Sequence, residues 1–239
     1  VSEHRQQPLP LSPSLVPTYD SFYLGENRLA VEVVQQLGSA AVASQVYLWG
    51  QSQSGKTHLL QAACNEFIAR GQRSFYVSLK EPMLSSDLLE SLDGYGLLAI
   101  DDIDAVAAKD DWEKALFNLI NFSREQSGKI LFSASGAPAT AGWQLPDLKS
   151  RLGWGPVVKM EVLSDTDVRQ AFLFAINRKG LQMPDEAVDY LLKRHSRDLG
   201  SLLQTVALLD RESLAAGRAR ITIPFLKSCL SVALSVAKG

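Results

Sequence analysis

The sequence predicts an α/β fold, a parallel sheet with helices on both faces, followed by a small all-helical subdomain. Three observations predict it. Between Val46 and Val162 short apolar runs alternate with amphipathic stretches, the pattern of buried parallel strands joined by helical crossovers. After Leu163 the strand signals stop and helical periodicity takes over. A glycine-rich loop, Gly50-Gln51-Ser52-Gln53-Ser54-Gly55-Lys56-Thr57, stands between the first of these strands and the helix that follows it.

Residues 1–18 hold four of the ten prolines and no aromatic residue, so they read as an extended, tethered arm. Residues 19–163 read as the α/β domain. Its strands are VYLW, SFYVSL, LLAI, ILFSA and VVKMEV, and its helical stretches are KTHLLQAACNEFIAR, SSDLLESL and DWEKALFNLINFSRE, with a loop after ILFSA. Residues 164–239 read as the helical subdomain, with segments starting near Ser164, Pro184, Arg197 and Pro224. Ser164 suits an N-cap because its hydroxyl can take a first-turn N–H, and Asp165 and Asp167 then complement the helix dipole. Pro184 and Pro224 suit first helical positions, where a missing N–H costs nothing.

With 46% hydrophobic and 21% charged residues the chain has the composition of a folded globular protein. Its 24 basic and 26 acidic residues leave a formal charge of −2. That balance argues against affinity gained by neutralising many phosphates of nucleic acid, so contact with DNA is expected to be indirect. Cys64 and Cys229 lie far apart in apolar surroundings and read as buried thiols of a reducing compartment. No Cys or His pair has zinc-ligand spacing. The start of the sequence has no signal-peptide pattern and no apolar run is long enough to cross a bilayer. A cytoplasmic protein without a membrane partner is therefore expected.

Gly50 to Thr57 matches G-x-x-x-x-G-K-[ST] in full, directly after a strand and before a helix. The glycines let successive N–H groups point at phosphate oxygens, the helix N-terminus adds its dipole, Lys56 reaches the β and γ phosphates and Thr57 offers a hydroxyl to Mg²⁺. His58 follows in the helix behind the loop; with His4 and His195 it forms no catalytic grouping. LLAIDD places Asp101 at the C-terminal end of a buried strand, where open α/β sheets bind ligands. Asp101 would hold Mg²⁺ through water and Asp102 would orient an attacking water. Ser135, ending ILFSAS, is a polar candidate to sense the γ phosphate, and Arg151 and Arg197 are candidates to stabilise charge on phosphate.

Taken together, TYDSFYLGEN, GQSQSGKTHLL, LLAIDDID, LPDLKSRLGWG and SRDLGSLL resemble the nucleotide-binding core of the DnaA family of AAA+ ATPases, from about residue 18 onward and in the same order. The resemblance implies a P-loop AAA+ fold, a three-layer parallel-sheet domain followed by an all-α lid. It implies that Tyr19, Phe22, Tyr23 and Leu24 border an adenine pocket. It also implies that Arg151 is the arginine finger, Ser135 the first sensor and Arg197 the second. The paired Asp101 and Asp102 depart from the Asp-Glu usual in AAA+ proteins but resemble the DnaA branch. The sequence lacks a segment resembling DnaA's helix-turn-helix domain. It also has only about a dozen residues, Glu81 to Leu92, where initiators insert DNA-touching helices. In this it is similar to the Hda branch of the family, as it is in SRLGWG and ITIPFLKSCL.

In the arm, Gln6-Gln7-Pro8-Leu9-Pro10-Leu11 resembles peptides that dock on the β sliding clamp of DNA polymerase. In an extended chain Leu9 and Leu11 point to one side, Pro8 and Pro10 reduce the ordering cost, and Gln6 supplies an amide. The expected function is a regulator that binds adenine nucleotide and the DNA-loaded clamp and makes ATP-bound DnaA hydrolyse its nucleotide, with ADP as its own active ligand. Two alternatives stand beside it: a DnaA-related ATPase that loads or remodels a helicase–DNA complex, and an adaptor with a vestigial nucleotide site. A homo-oligomer is compatible with each.

Overall fold

The computed structural model describes residues 16–37, 44–194 and 199–236, which divide into two compact units, an α/β unit ending at Val162 and a helical unit from Leu163. The chain enters the α/β unit through a 3₁₀ turn, Tyr19–Ser21, and α1, Arg28–Gln36. β1 (Gln45–Trp49) runs through the glycine-rich loop into α2 (Lys56–Ala69), then come β2 (Ser74–Ser78) and β3 (Leu97–Asp101). α3 (Asp110–Glu125), β4 (Lys129–Ala134), α4 (Pro146–Leu152) and β5 (Val157–Lys159) complete the unit. The five strands are parallel, in the order β2-β3-β4-β1-β5.

Alternation along each strand feeds two cores. Tyr47, Leu98, Ile100, Ile130 and Phe132 pack toward α3 and α4, whereas Val46, Leu48, Leu97, Ala99 and Leu131 pack toward α1 and α2. Both faces are thus buried, as an all-parallel sheet requires. Phe132 is fully buried, and truncating it to Ala would cost about 3–5 kcal/mol through lost burial and the cavity left behind.

Several sequence expectations need correction. SSDLLESL forms only a 3₁₀ turn, Ser86–Glu90, because Pro82 and Gly94 bound a stretch too short to nucleate an α-helix. VVKMEV pairs only through Lys159. Met160 still donates its N–H to the Trp49 carbonyl, but the N–H of Glu161 goes to Asn27 Oδ1 at 2.8 Å. α4 lies in what reads as a loop: Pro146 occupies its first turn, and seven residues are too few to display a helical period. The arm is already fastened at its end, where Asn65 Nδ2 donates to the Pro17 carbonyl at 2.9 Å and Thr18 forms a capping box with Ser21.

The helical unit contains α5 (Asp165–Arg178), α6 (Asp185–Arg194), α7 (Leu199–Ala215) and α8 (Ile223–Val236). Ser164 caps α5, its Oγ accepting from the Asp167 N–H at 3.1 Å. Phe172, Ile176, Val188, Leu191, Leu202, Val206, Leu209, Ile221 and Leu226 form its core. Cys64 and Cys229 are free and buried, and burial pushes the Cys64 thiol up to about 11. Among the described residues no helix is long and apolar enough to cross a membrane.

Candidate functional site

The glycine-rich loop leaves β1 at the C-terminal edge of the sheet. A side chain at Gly50 would place a Cβ 2.2 Å from the Met160 carbonyl oxygen, so only glycine fits beside the end of β5. Gly55 has φ +92°, the left-handed region open to glycine, and a Cβ there would lie 2.7 Å from the Phe22 ring. It is also the N-cap of α2, so the helix opens with its unpaired N–H groups at the loop. Gln51, Ser52 and Gln53 are exposed and Ser54 is buried. Lys56 Nζ donates to the carbonyls of Gly50 at 2.7 Å and Gln51 at 2.8 Å, and contacts Ser54 Oγ at 3.4 Å. Burial lowers the Lys56 ammonium from its ordinary range, offset in part by Asp102 and Asp101.

Asp101 ends β3 and is only 1% exposed. Thr57 Oγ1 donates to its Oδ2 at 2.7 Å, Tyr76 of β2 donates to the same oxygen at 2.9 Å, and Ser133 of β4 donates to Oδ1. Thr57 and Asp101 thereby present two hard oxygen donors side by side, which fits Mg²⁺ held chiefly by phosphate and water. Among the described residues no group of three or more His, Cys, Asp or Glu could make an all-protein metal cage. Asp102 takes the left-handed conformation, φ 54°, which short polar residues tolerate best after glycine. Its N–H donates to Ser133 Oγ at 2.9 Å, and its carboxylate accepts from Lys80 Nζ at 2.7 Å and Ser78 Oγ at 3.3 Å. Ser135 is exposed, and its N–H and hydroxyl both donate to Asp104.

The entry segment closes over the same edge. Phe22 is buried against Gly55 and meets the His58 ring edge-on, centroids 5.4 Å apart. His58 Nε2 lies 3.1 Å from both the Thr18 carbonyl and Ser21 Oγ. Tyr19 and Leu24 pack on the α1–α2 core and Tyr23 is half-buried. Asn27, itself buried, ties this segment to Glu161 by a pair of hydrogen bonds, 2.8 and 2.9 Å.

Arg151, on the last turn of α4, stands apart from that cluster. Its guanidinium lies over the Phe117 ring at 3.8 Å and beside Trp154 at 5.1 Å, and its buried Nη1 has no hydrogen-bond partner. Gln45 Nε2 donates to the carbonyls of Arg151 and Leu152, fixing the end of α4. Glu113, 2% exposed on α3, accepts the N–H groups of Ala108, Gln144 and Leu145, which pins the loop that launches α4. Arg197 and the arm residues Gln6, Leu9, Pro10 and Leu11 lie outside the described residues. Sequence reading missed Tyr76, Lys80, Glu113 and Phe117, whose partners are distant in the chain. Ser133 could have been found, as a hydroxyl breaking the apolar run of β4.

The family profile of the bacterial DnaA ATPase domain matches residues 16–159, and the profile of the Hda lid domain matches residues 165–230. The chain is a DnaA-homologous AAA+ protein of the Hda type. This family is tied to DNA replication. A Haemophilus influenzae protein of uncharacterized function is 36% identical over 232 residues, 96% of this chain and all of that one. Domain III of Thermotoga maritima DnaA matches with a TM-score of 0.71 at 18% identity, over 91% of this chain and 97% of that one. AMPPCP-bound DnaA from Aquifex aeolicus matches with a TM-score of 0.65 at 25% identity, over 82% of this chain. The chain spans 65% of that initiator.

Proposed function

We propose that this protein binds adenine nucleotide, is tethered to the DNA-loaded β sliding clamp through Gln6, Leu9, Pro10 and Leu11, and stimulates ATP hydrolysis by DnaA. The observation that carries the reading is Arg151. A buried guanidinium nitrogen without a partner is costly, and Phe117 and Trp154 offer only their ring faces, so the group is held ready for an anionic acceptor that the α/β unit does not supply. In the composite site with DnaA that acceptor is the transferring phosphoryl group, where an arginine finger raises rates by about 10³ to 10⁵.

The chain's own site serves as the switch. The N–H groups of Gly50 to Gly55 and the N-terminus of α2 receive the phosphates, Lys56 exchanges its carbonyl partners for phosphate oxygens, and Tyr19, Phe22, Tyr23, Leu24 and His58 flank the base. Thr57 and Asp101 would hold Mg²⁺, which neutralises phosphate charge when bound. Ser135 and Arg197 sense the γ phosphate, and ADP is the ligand of the active form. The test is phosphate release from ATP-loaded DnaA with the ADP-bound protein and clamp-loaded DNA. Acceleration that needs the clamp and is lost when Leu9 and Leu11 become Ala is expected; no acceleration under any nucleotide condition refutes the reading.

A further inference from the structure

α4 is too short to hold itself in place, and two buried side chains from other elements grip its ends. Its N-cap, Leu145, has no side-chain acceptor to offer, and the Leu145 N–H goes instead to Glu113 of α3 at 2.6 Å. At the other end Gln45, the first residue of β1, reaches two carbonyls of the last turn with its amide, Arg151 at 2.9 Å and Leu152 at 3.1 Å. Gln45 is only 6% exposed in a strand that is otherwise apolar, a place where an amide is stable only when hydrogen-bonded. Its backbone is fixed as well. β1 lies between β4 and β5, Gln45 pairs with Ile130 of β4, and a Cβ at Gly155 would come within 1.9 Å of the Gln45 carbonyl oxygen. The chain leaving α4 therefore passes directly against the start of β1. The Arg151 carbonyl accepts from Gln45 Nε2 and also from the Trp154 N–H at 3.1 Å, so both of its lone pairs are used and the backbone from which the guanidinium departs is set. Beyond that point the side chain meets the Phe117 and Trp154 rings, which attract a cation without the directionality of a hydrogen bond. Where the guanidinium stands thus depends on where the last turn of α4 is held.

We propose that Gln45 is a positioning residue that acts through α4: by holding the Arg151 and Leu152 carbonyls it sets the place from which Arg151 reaches the nucleotide of DnaA. This rests on the reading of Arg151 as an arginine finger given above. Gln45 begins β1, at the sheet edge opposite the phosphate loop that leaves the other end of the same strand, so its role is separate from the chain's own nucleotide site. Being buried, it offers no surface to a partner. Its loss therefore lowers the maximal rate of hydrolysis within the complex and leaves the concentration needed to form the complex unchanged.

The experiment measures phosphate release from ATP-loaded DnaA over a range of concentrations of the full chain, ADP-bound and with clamp-loaded DNA. It compares the unchanged protein, Gln45→Met, Arg151→Ala and the double variant. Methionine is unbranched and close to glutamine in length, and it removes the donor. Hydrogen exchange of the same proteins, followed by mass spectrometry, reports on α4 without DnaA. Expected in Gln45→Met is a maximal rate about 10- to 100-fold lower, the scale of a misplacement of about 1 Å. The half-saturating concentration should stay unchanged, exchange should quicken in residues 146–154, and exchange in α2 should not change. In the double variant the rate should fall no lower than in Arg151→Ala. A maximal rate in Gln45→Met equal to that of the unchanged protein overturns the role of Gln45. So does a fall accompanied by faster exchange throughout the α/β unit, which marks lost stability instead of lost position. A further fall in the double variant overturns the route through Arg151. Absence of stimulation by the unchanged protein defeats the finger reading and the role of Gln45 with it.

Discussion

The phosphate-loop edge and α4 treat their cations in opposite ways. Lys56 is wrapped by two carbonyls and a hydroxyl of its own loop, and Asp101 by three hydroxyls, so the polar groups at that edge are matched within the unit. Arg151 is ordered by aromatic faces and by the Gln45 side-chain amide donating to its backbone carbonyl, yet keeps a buried nitrogen without a partner. A matched site is satisfied before a ligand arrives and exchanges partners when one does; an unmatched one gains most when a ligand arrives. Under the proposed function the contrast corresponds to different work, storage of a nucleotide at one region and action on a partner's nucleotide at the other.

The largest expected effect breaks the finger and spares the store. Arg151→Ala should lower the stimulation of DnaA by about 10³-fold or more, the scale of an arginine finger, with ADP affinity unchanged by calorimetric titration. Loss of ADP binding in the same variant would show that the regions are not separable. Next comes the support of the finger. Glu113→Ala leaves three backbone N–H groups without their acceptor, and at about 1–3 kcal/mol for an unsatisfied buried donor, partly relieved by water, the stability loss should be about 3 kcal/mol. Urea unfolding followed by fluorescence measures it, and a midpoint within error of the unchanged protein would refute the role of Glu113. Lys56→Ala addresses the store: losing a charged donor to phosphate, worth about 1.5–3 kcal/mol, should weaken ADP binding by about 10- to 150-fold. Stimulation should then return at saturating ADP, which an adaptor with a vestigial site would not require.

Legibility in the sequence follows the distance over which each feature is built. The phosphate loop is contiguous, and its strand and helix neighbours declare themselves by periodicity, so Gly50 to Thr57 and Asp101 could be placed before any coordinates. The partners of Asp102 could not, because Lys80 and Ser133 reach it only once β2, β3 and β4 lie side by side. Arg151 was visible as an arginine in a motif, but its holder Phe117 sits on α3 with nothing in the local pattern to separate it from core residues such as Leu116. Glu113 reads as a first-turn acid of a helix and proves to be a buried acceptor for another loop. The short α4 has no period to detect, so the helix carrying Arg151 is the element least visible.

The smallest effect concerns the clasp between α2 and the entry segment. Burial lowers His58 from its ordinary value near 6.5, so the folded protein binds fewer protons there than the unfolded chain does. The stability this gives is complete above about pH 6.5 and is lost as pH falls from there toward the folded value, because the unfolded state then takes up the proton first. His58→Gln keeps a polar group facing the Thr18 carbonyl but cannot titrate. Between pH 7.5 and 5.5 the unchanged protein should therefore lose about 1–3 °C more in Tm than the variant does, an effect under about 1 kcal/mol for a chain of this size. Since Phe22 packs on both His58 and Gly55, protonation also loosens the aromatic wall beside the loop, and ADP affinity should weaken over the same pH range in the unchanged protein alone. A Tm slope identical in both forms would place the acid sensitivity elsewhere and leave the clasp a matter of packing.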